Sequence, residues 1–220
     1  MGHPLKDVLW HACKYVKNLP DVEIPTEVSI CPGCAMDKLP NRSFPPNQQC
    51  AICAFELIRS DLKSFPTESY HHHKYIITFV DNFTSMAWTT PLHSQDGALV
   101  LTRHFLKIVS TQFNAKVQGW MSDAGGEYKS KAFNDLLKGE DIHIFQSAPH
   151  TQQNGCTECF MHIVMDKSEA MQHEACIPDS WWEFTITHAI HVYNCTPLQH
   201  HNWYIPYEML HKQQPDIVHL

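Results

Sequence analysis

The strongest constraint on the fold is a run of three strand-like strings between residues 56 and 92. "ELIRSDLKSF" (56–65), "KYIITFV" (74–80) and "SMAWTTPL" (85–92) are rich in β-branched and aromatic residues and are joined by short connections. Three consecutive strands so closely spaced predict an antiparallel meander. The pattern then changes period. "GALVLTRHFLKIVSTQF" (97–113) is helical, with Leu99, Phe105, Leu106 and Val109 expected on one face. "KVQGWMSD" (116–123) reads as a strand ending on Asp123, "SKAFNDLLK" (130–138) as a short helix and "IHIFQSA" (142–148) as a fifth strand. A helix follows from about Gly155, and another spans "SWWEFTITHAIHVYN" (180–194). Strands first in a meander and then alternating with helices define an α/β chain with a mixed five-stranded sheet flanked by helices.

The first 55 residues differ in character. Residues 1–20 carry Leu5, Val8, Leu9, Ala12 and Val16 at helical spacing. A stretch punctuated by Pro20, Pro25, Pro32, Pro40, Pro45 and Pro46 then reads as loop or linker. The expected division is a small N-terminal module and linker over 1–55 and a compact domain over 56–220. No apolar run approaches membrane-spanning length, so no membrane partner is expected, and "MGHPLKDVLWHACK" has no signal-peptide pattern. A cytosolic or nuclear chain is the default, where the nine cysteines are expected to be reduced or metal-bound. The net charge of -7 argues weakly against a nucleic-acid partner. Arginine is scarce, with Arg42, Arg59 and Arg103 against 13 lysines, whereas histidine reaches 17.

Three acids fall where chemistry is commonly placed. Asp61 lies in the first strand, Asp123 closes the fourth ahead of Ala-Gly-Gly, and Glu158 lies in the first turn of a helix. Each has an ordinary reading: a solvent-facing strand residue, a turn, and a helix-dipole partner worth a few tenths of a kcal/mol. Jointly they make a plausible site for two divalent cations. Mg²⁺ is typically held by a few carboxylates plus substrate phosphates, and a pair of ions can clamp both oxygens of an in-line displacement.

The strings around these acids carry a resemblance. "ELIRSDLKSFP", "YIITFVDNFTSMAWTTPL", "WMSDAGGEYKSKAFNDLL", "SAPHTQQNGCTECF" and "NCTPLQHHNWYIPYEML" together resemble the integrase of copia-type retrotransposon polyproteins, in order and through nearly the whole chain. The resemblance implies a ribonuclease H-like core whose Asp-Asp-Glu triad falls on Asp61, Asp123 and Glu158, holding two Mg²⁺ or Mn²⁺ ions. It makes Asp81 a turn residue of the core rather than a ligand. It also implies phosphoryl transfer, in which a DNA 3′ end is trimmed and the new 3′-hydroxyl attacks a target phosphodiester. DNA is then the partner, a homo-oligomer the expected active form and the nucleus the expected location.

The same resemblance implies a Zn²⁺ site near the N-terminus. His3, before Pro4, and the Cys31/Cys34 pair match the second His and the two cysteines of a His-His-Cys-Cys module. The first His has no counterpart after Met1, so His3, Cys31 and Cys34 are expected to be an incomplete set, the remnant of a zinc module. Spacing alone offers an alternative, since Cys31, Cys34, Cys50 and Cys53 fit a generic four-cysteine template. Cys156 and Cys159 form a third pair, read as accidental thiols.

The chain also departs from the family pattern. The turn before Glu158 lacks a proline after Thr151, and Cys159, His162 and Cys195 stand where basic residues are usual. Residues 151–220 hold only Lys167 and Lys212 against eight acids, a loss that weakens phosphate contacts. We hypothesise that C-to-T changes in CG-type arginine codons produced this bias, because they yield Cys, His, Gln or Trp. Cys or His at 156, 159, 162 and 195 in transposition-competent copies would sink the idea. Active integrase core and folded, inactive relic with weak nucleic-acid binding are thus both open. A zinc-dependent binding module on residues 1–55 and a general nuclease of the same superfamily are further readings. Trp181, Trp182, Trp203 and Tyr204 read as core packing, with a base-stacking platform as the alternative.

Overall fold

The structure, a computed structural model, describes residues 6–16, 51–122, 130–146 and 155–218. Its centre is a five-stranded sheet of order β3-β2-β1-β4-β5. The strands are β1 (Leu57–Ser64), β2 (Tyr75–Asp81), β3 (Ala87–Leu92), β4 (Gly119–Ser122) and β5 (His143–Gln146). The first three form the predicted antiparallel meander. β4 and β5 then add in parallel on the other side of β1, each reached through a helical crossover. β1 is therefore central and has a neighbour of each orientation. Its approach to β4 needs a glycine: a Cβ on Gly119 would lie 2.8 Å from the Phe145 ring and 3.1 Å from Leu57.

Six α-helices surround the sheet among the described residues: α1 (Lys6–Tyr15), α2 (Gly97–Gln112), α3 (Lys131–Gly139), α4 (Gly155–Ala175), α5 (Trp182–Asn194) and α6 (Pro206–His211). On one face Ile58, Ile77, Phe79 and Trp120 pack with Phe105 and Val109 of α2 and with Phe133 and Leu137 of α3. The inward stripe of α2 is Ala98, Thr102, Phe105 and Val109, at spacings of four, three and four. Leu99 and Leu106, expected beside Phe105 and Val109, lie at its half-buried margin. Ser130 caps α3 by accepting the Phe133 N–H at 3.2 Å.

The other face is covered by α4 and α5. Ile76, Val80 and Ala87 pack against Phe160, Met161 and Val164 of α4 and against Trp182, Ile186, Ala189, Ile190 and Tyr193 of α5. Phe160 meets Tyr193, and the Ser168 and Thr185 hydroxyls bond at 2.7 Å, so the two helices run antiparallel. Asn194 ties the end of α5 to β3 by accepting the Ala87 N–H and donating to the Ala87 carbonyl. α1 sits in a third, smaller cluster, where Ala12 and Val16 are buried with Cys195, Ile205 and Ile217, and His11 stacks on Trp203 at 4.1 Å.

Candidate active site

β1 places Asp61 near the middle of the sheet. Its register partner is Thr78, which lies between Ile76 and Val80 on β2. Directly paired antiparallel residues point to the same face, and alternation therefore puts Asp61 on the side covered by α4 and α5. The Thr78 hydroxyl beside it is buried and has no hydrogen-bond partner among the described residues. Asp61 itself is half-buried.

The elements next to the other two acids are placed by register and packing. Ser60 is the register partner of Ser122, the last residue of β4, so the residue before Asp61 lies beside the residue before Asp123. Asp123 falls outside the described residues. Glu158 lies in the first turn of α4, three residues ahead of buried Met161, and its side chain is outside the described set. The sheet register sets the end of β4 beside β1 at Ser60, and the buried face of α4 packs over the side of the sheet that carries Asp61. His3, Cys31, Cys34 and Cys50 lie outside the described residues, as do the side chains of Cys156 and Cys159. Cys53 is an exposed free thiol.

Asp81 has the structural role expected of it. It is fully buried, and one oxygen accepts the Phe55 N–H at 2.8 Å. The other accepts the Thr84 N–H at 2.9 Å and the Thr84 hydroxyl at 2.7 Å. Burial pushes its pKa up against the opposing pull of these bonds. Two of these bonds close the β2–β3 turn and the third ties it to Phe55 just before β1, which accounts for its burial.

Among the described residues the cations of this face include Arg59, Lys63 and Lys167. Arg59 is buried on β1 and donates from Nε to Asn82 Oδ1 at 2.7 Å. Lys167, in the middle of α4, has its pKa pushed down by burial. Trp182 is buried, stacks on Phe65 at 4.0 Å and donates to the Thr67 carbonyl, so it belongs to the core. Trp181 and Tyr204 remain exposed.

One cluster was not foreseen. Glu183, in the first turn of α5, is buried and bonded to both His71 and His73 of the β1–β2 connection. The His71-His72-His73 string is visible in the sequence, but its partner is more than 100 residues away. Only the fold joins them.

A mixed five-stranded sheet with an acid on its central strand and helices on both faces is a ribonuclease H-like core, the fold of integrase catalytic domains. Residues 53–152 match the model of the integrase core domain; the match takes in Asp61 and Asp123 and stops short of Glu158. The chain's relatives are retrotransposon polyproteins of plants. The chain is 25% identical over 217 residues, 98% of its length, to the retrovirus-related Pol polyprotein from transposon RE2 of Arabidopsis thaliana. It is 27% identical over 199 residues, 90% of its length, to that from transposon TNT 1-94 of Nicotiana tabacum. The chain spans only 15% of either polyprotein.

Solved structures agree on the fold. A simian T-cell lymphotropic virus intasome, in complex with PP2A regulatory subunit B56 gamma, aligns with a TM-score of 0.62 at 14% identity, over 82% of this chain and 63% of that one. The HTLV-2 integrase catalytic core domain, solved with magnesium in a trimeric form, aligns with a TM-score of 0.55 at 13% identity, over 73% of this chain and 99% of that one.

Proposed function

We propose that the chain is the catalytic core of a retrotransposon integrase, with Asp61, Asp123 and Glu158 holding two Mg²⁺ or Mn²⁺ ions for DNA 3′-end processing and strand transfer. The observation that carries this reading is the position of Asp61 on the central strand, facing α4, one register step from the end of β4. The donors are hard carboxylate oxygens, which suit Mg²⁺ or Mn²⁺ rather than a soft cation. When bound, such ions supply the charge that activates the attacking oxygen and stabilises the leaving one. The residues' own task is positioning. β1 fixes Asp61 by hydrogen bonds to a strand on each side, and buried Phe160, Met161 and Val164 anchor the helix that carries Glu158. The substrates are element-end and target DNA, the working form is a homo-oligomer and the setting is the nucleus.

The scarcity of lysine and arginine beyond residue 150 favours a second reading, a folded relic that binds DNA weakly. One assay separates the two. The purified chain is incubated with Mn²⁺ and a labelled element-end duplex, beside an Asp61→Asn control. Product formed by the chain and absent from the control supports the active enzyme. No product from either supports the relic.

A further inference from the structure

We propose that His71, His73 and Glu183 form a binding site for a transition-metal cation of the Zn²⁺ class, which staples the β1–β2 connection to the start of α5. His71 Nδ1 lies 2.5 Å from Glu183 Oε1, and His73 Nδ1 lies 2.6 Å from Oε2. One ligand atom from each of the three residues lies within 4.8 Å of the others. Two imidazoles and one carboxylate form a donor set for Zn²⁺, Co²⁺ or Ni²⁺ rather than for Mg²⁺ or Ca²⁺, which favour all-oxygen shells. This is a different chemistry from the three acids around β1, and the site lies at the other end of α5 from Tyr193.

The surroundings are built to hold the ligands. The Ser69 hydroxyl donates to Glu183 Oε2 at 2.8 Å and accepts the His73 N–H at 3.0 Å, while the His71 N–H reaches Oε1 at 3.2 Å. Outer bonds of this kind orient metal ligands. Hydrogen bonds from His73, Ser69 and His71 outweigh burial and keep the Glu183 carboxyl below its ordinary pKa. The His73 side chain is mostly buried and packs against His93 with ring centroids 4.3 Å apart, whereas that of His71 is 55% exposed.

Tetrahedral bonds of about 2.0–2.2 Å set ligand atoms roughly 3.4 Å apart. Each of the present contacts therefore needs to open by less than about 1 Å, which calls for small rotations of the His71 and His73 rings about Glu183. Three protein ligands leave a fourth position for water, on the side of a cleft of about 480 Å³ lined also by Pro91, His188 and His191. His188 and His191 lie five and eight residues along α5 from Glu183, about 7 and 12 Å by helical rise, and form the wall rather than the ligand set.

The test uses the full chain. Co²⁺ is titrated while visible absorption is followed, and thermal melting is recorded with and without Zn²⁺. One equivalent of Co²⁺ should give the ligand-field bands of a nitrogen and oxygen site without thiolate-to-cobalt charge transfer. Zn²⁺ at a hundredfold excess over Kd should raise Tm by roughly 5–10 °C. His71→Ala, at an exposed position, should weaken binding at least tenfold and remove most of that shift, and His73→Ala should do the same. Cys31→Ser with Cys34→Ser should leave both signals unchanged. Binding that shows thiolate character and ignores the histidine variants would overturn the site, as would no nitrogen and oxygen signal at all.

Discussion

The two ends of the α4–α5 pair hold carboxylates under opposite conditions. Where α5 begins, Glu183 is buried but answered by His71, His73 and Ser69, so the protein satisfies the charge itself. Where α4 begins, the proposed triad would bring together Glu158, Asp61 and Asp123, all of them acids. Two like charges 4 Å apart repel by about 1 kcal/mol in water and more beside a protein wall. In the first arrangement the protein's own groups answer the carboxylate, and the proposed ion would be held by those same three side chains; the second, on the proposed function, brings acids together around divalent cations.

The sharpest way to break this contrast is Asp61→Asn. On the proposed function, removing a carboxylate that holds the metal ions should lower metal-dependent strand transfer on the order of a thousandfold, as for loss of a positioned electrostatic partner. Thermal stability should change little, because Asn is nearly isosteric with Asp and the position is only half-buried. Single-turnover assays beside calorimetric melts check both halves. A large fall in Tm would show that Asp61 is a structural acid after all.

Asp81→Asn supplies the converse. Its two oxygens accept three bonds in a sealed turn, and an amide NH₂ in place of one oxygen would face a donor. The expected loss is about 2–3 kcal/mol of stability, measured by urea unfolding at unchanged m-value. Catalytic activity per folded molecule should hold.

The sheet was readable because β-branched runs and short turns are local signals. All five strands and the crossover helices fall close to the expected residues. Asp61 was legible as a candidate because strand and motif coincide there, and Asp81 because the same strings made it a turn. What escaped depends on contacts between distant segments. No periodicity reports that Glu183 closes on His71 and His73, and none reports that α1 covers Cys195. The stripe on α2 slipped by one position for a related reason: the flanking leucines looked more apolar than Ala98 and Thr102, yet the smaller side chains face the core.

Cys195 tests how charge loss relates to packing. It is buried among Ala12, Val16, Ile205 and Ile217, and burial pushes its thiol up to about 11. Restoring arginine there places a guanidinium in an apolar cluster and should cost about 2 kcal/mol or more, read by chemical unfolding. Equal stability would mean that α1 leaves this surface in solution.

Acid should act on the same C-terminal region. Burial, with His200 alongside, pushes His201 down to about 4, and its Nε2 is bonded to the Ser85 hydroxyl at 2.6 Å. The unfolded chain takes up this proton near pH 6.5 and the folded chain only near pH 4, so stability falls as pH drops through that window. About 1–2 kcal/mol should be lost, after allowance for the partial exposure of the ring. His201→Gln should flatten that part of the stability profile.

The smallest effect on the fold belongs to His162→Arg. His162 is exposed on α4, one turn beyond Glu158, on a helix whose one lysine is partly buried. Adding a cation there should change stability by under about 0.5 kcal/mol, since nothing is buried or displaced. DNA affinity should respond instead. If this face meets a duplex, each new phosphate contact should steepen the dependence of log K on log salt by about 0.9. Binding isotherms of both proteins between low and moderate salt give that slope directly. A steeper slope would locate DNA along α4 and tie weak binding to lost cations; parallel lines would place the duplex elsewhere, however intact the acids beside it are.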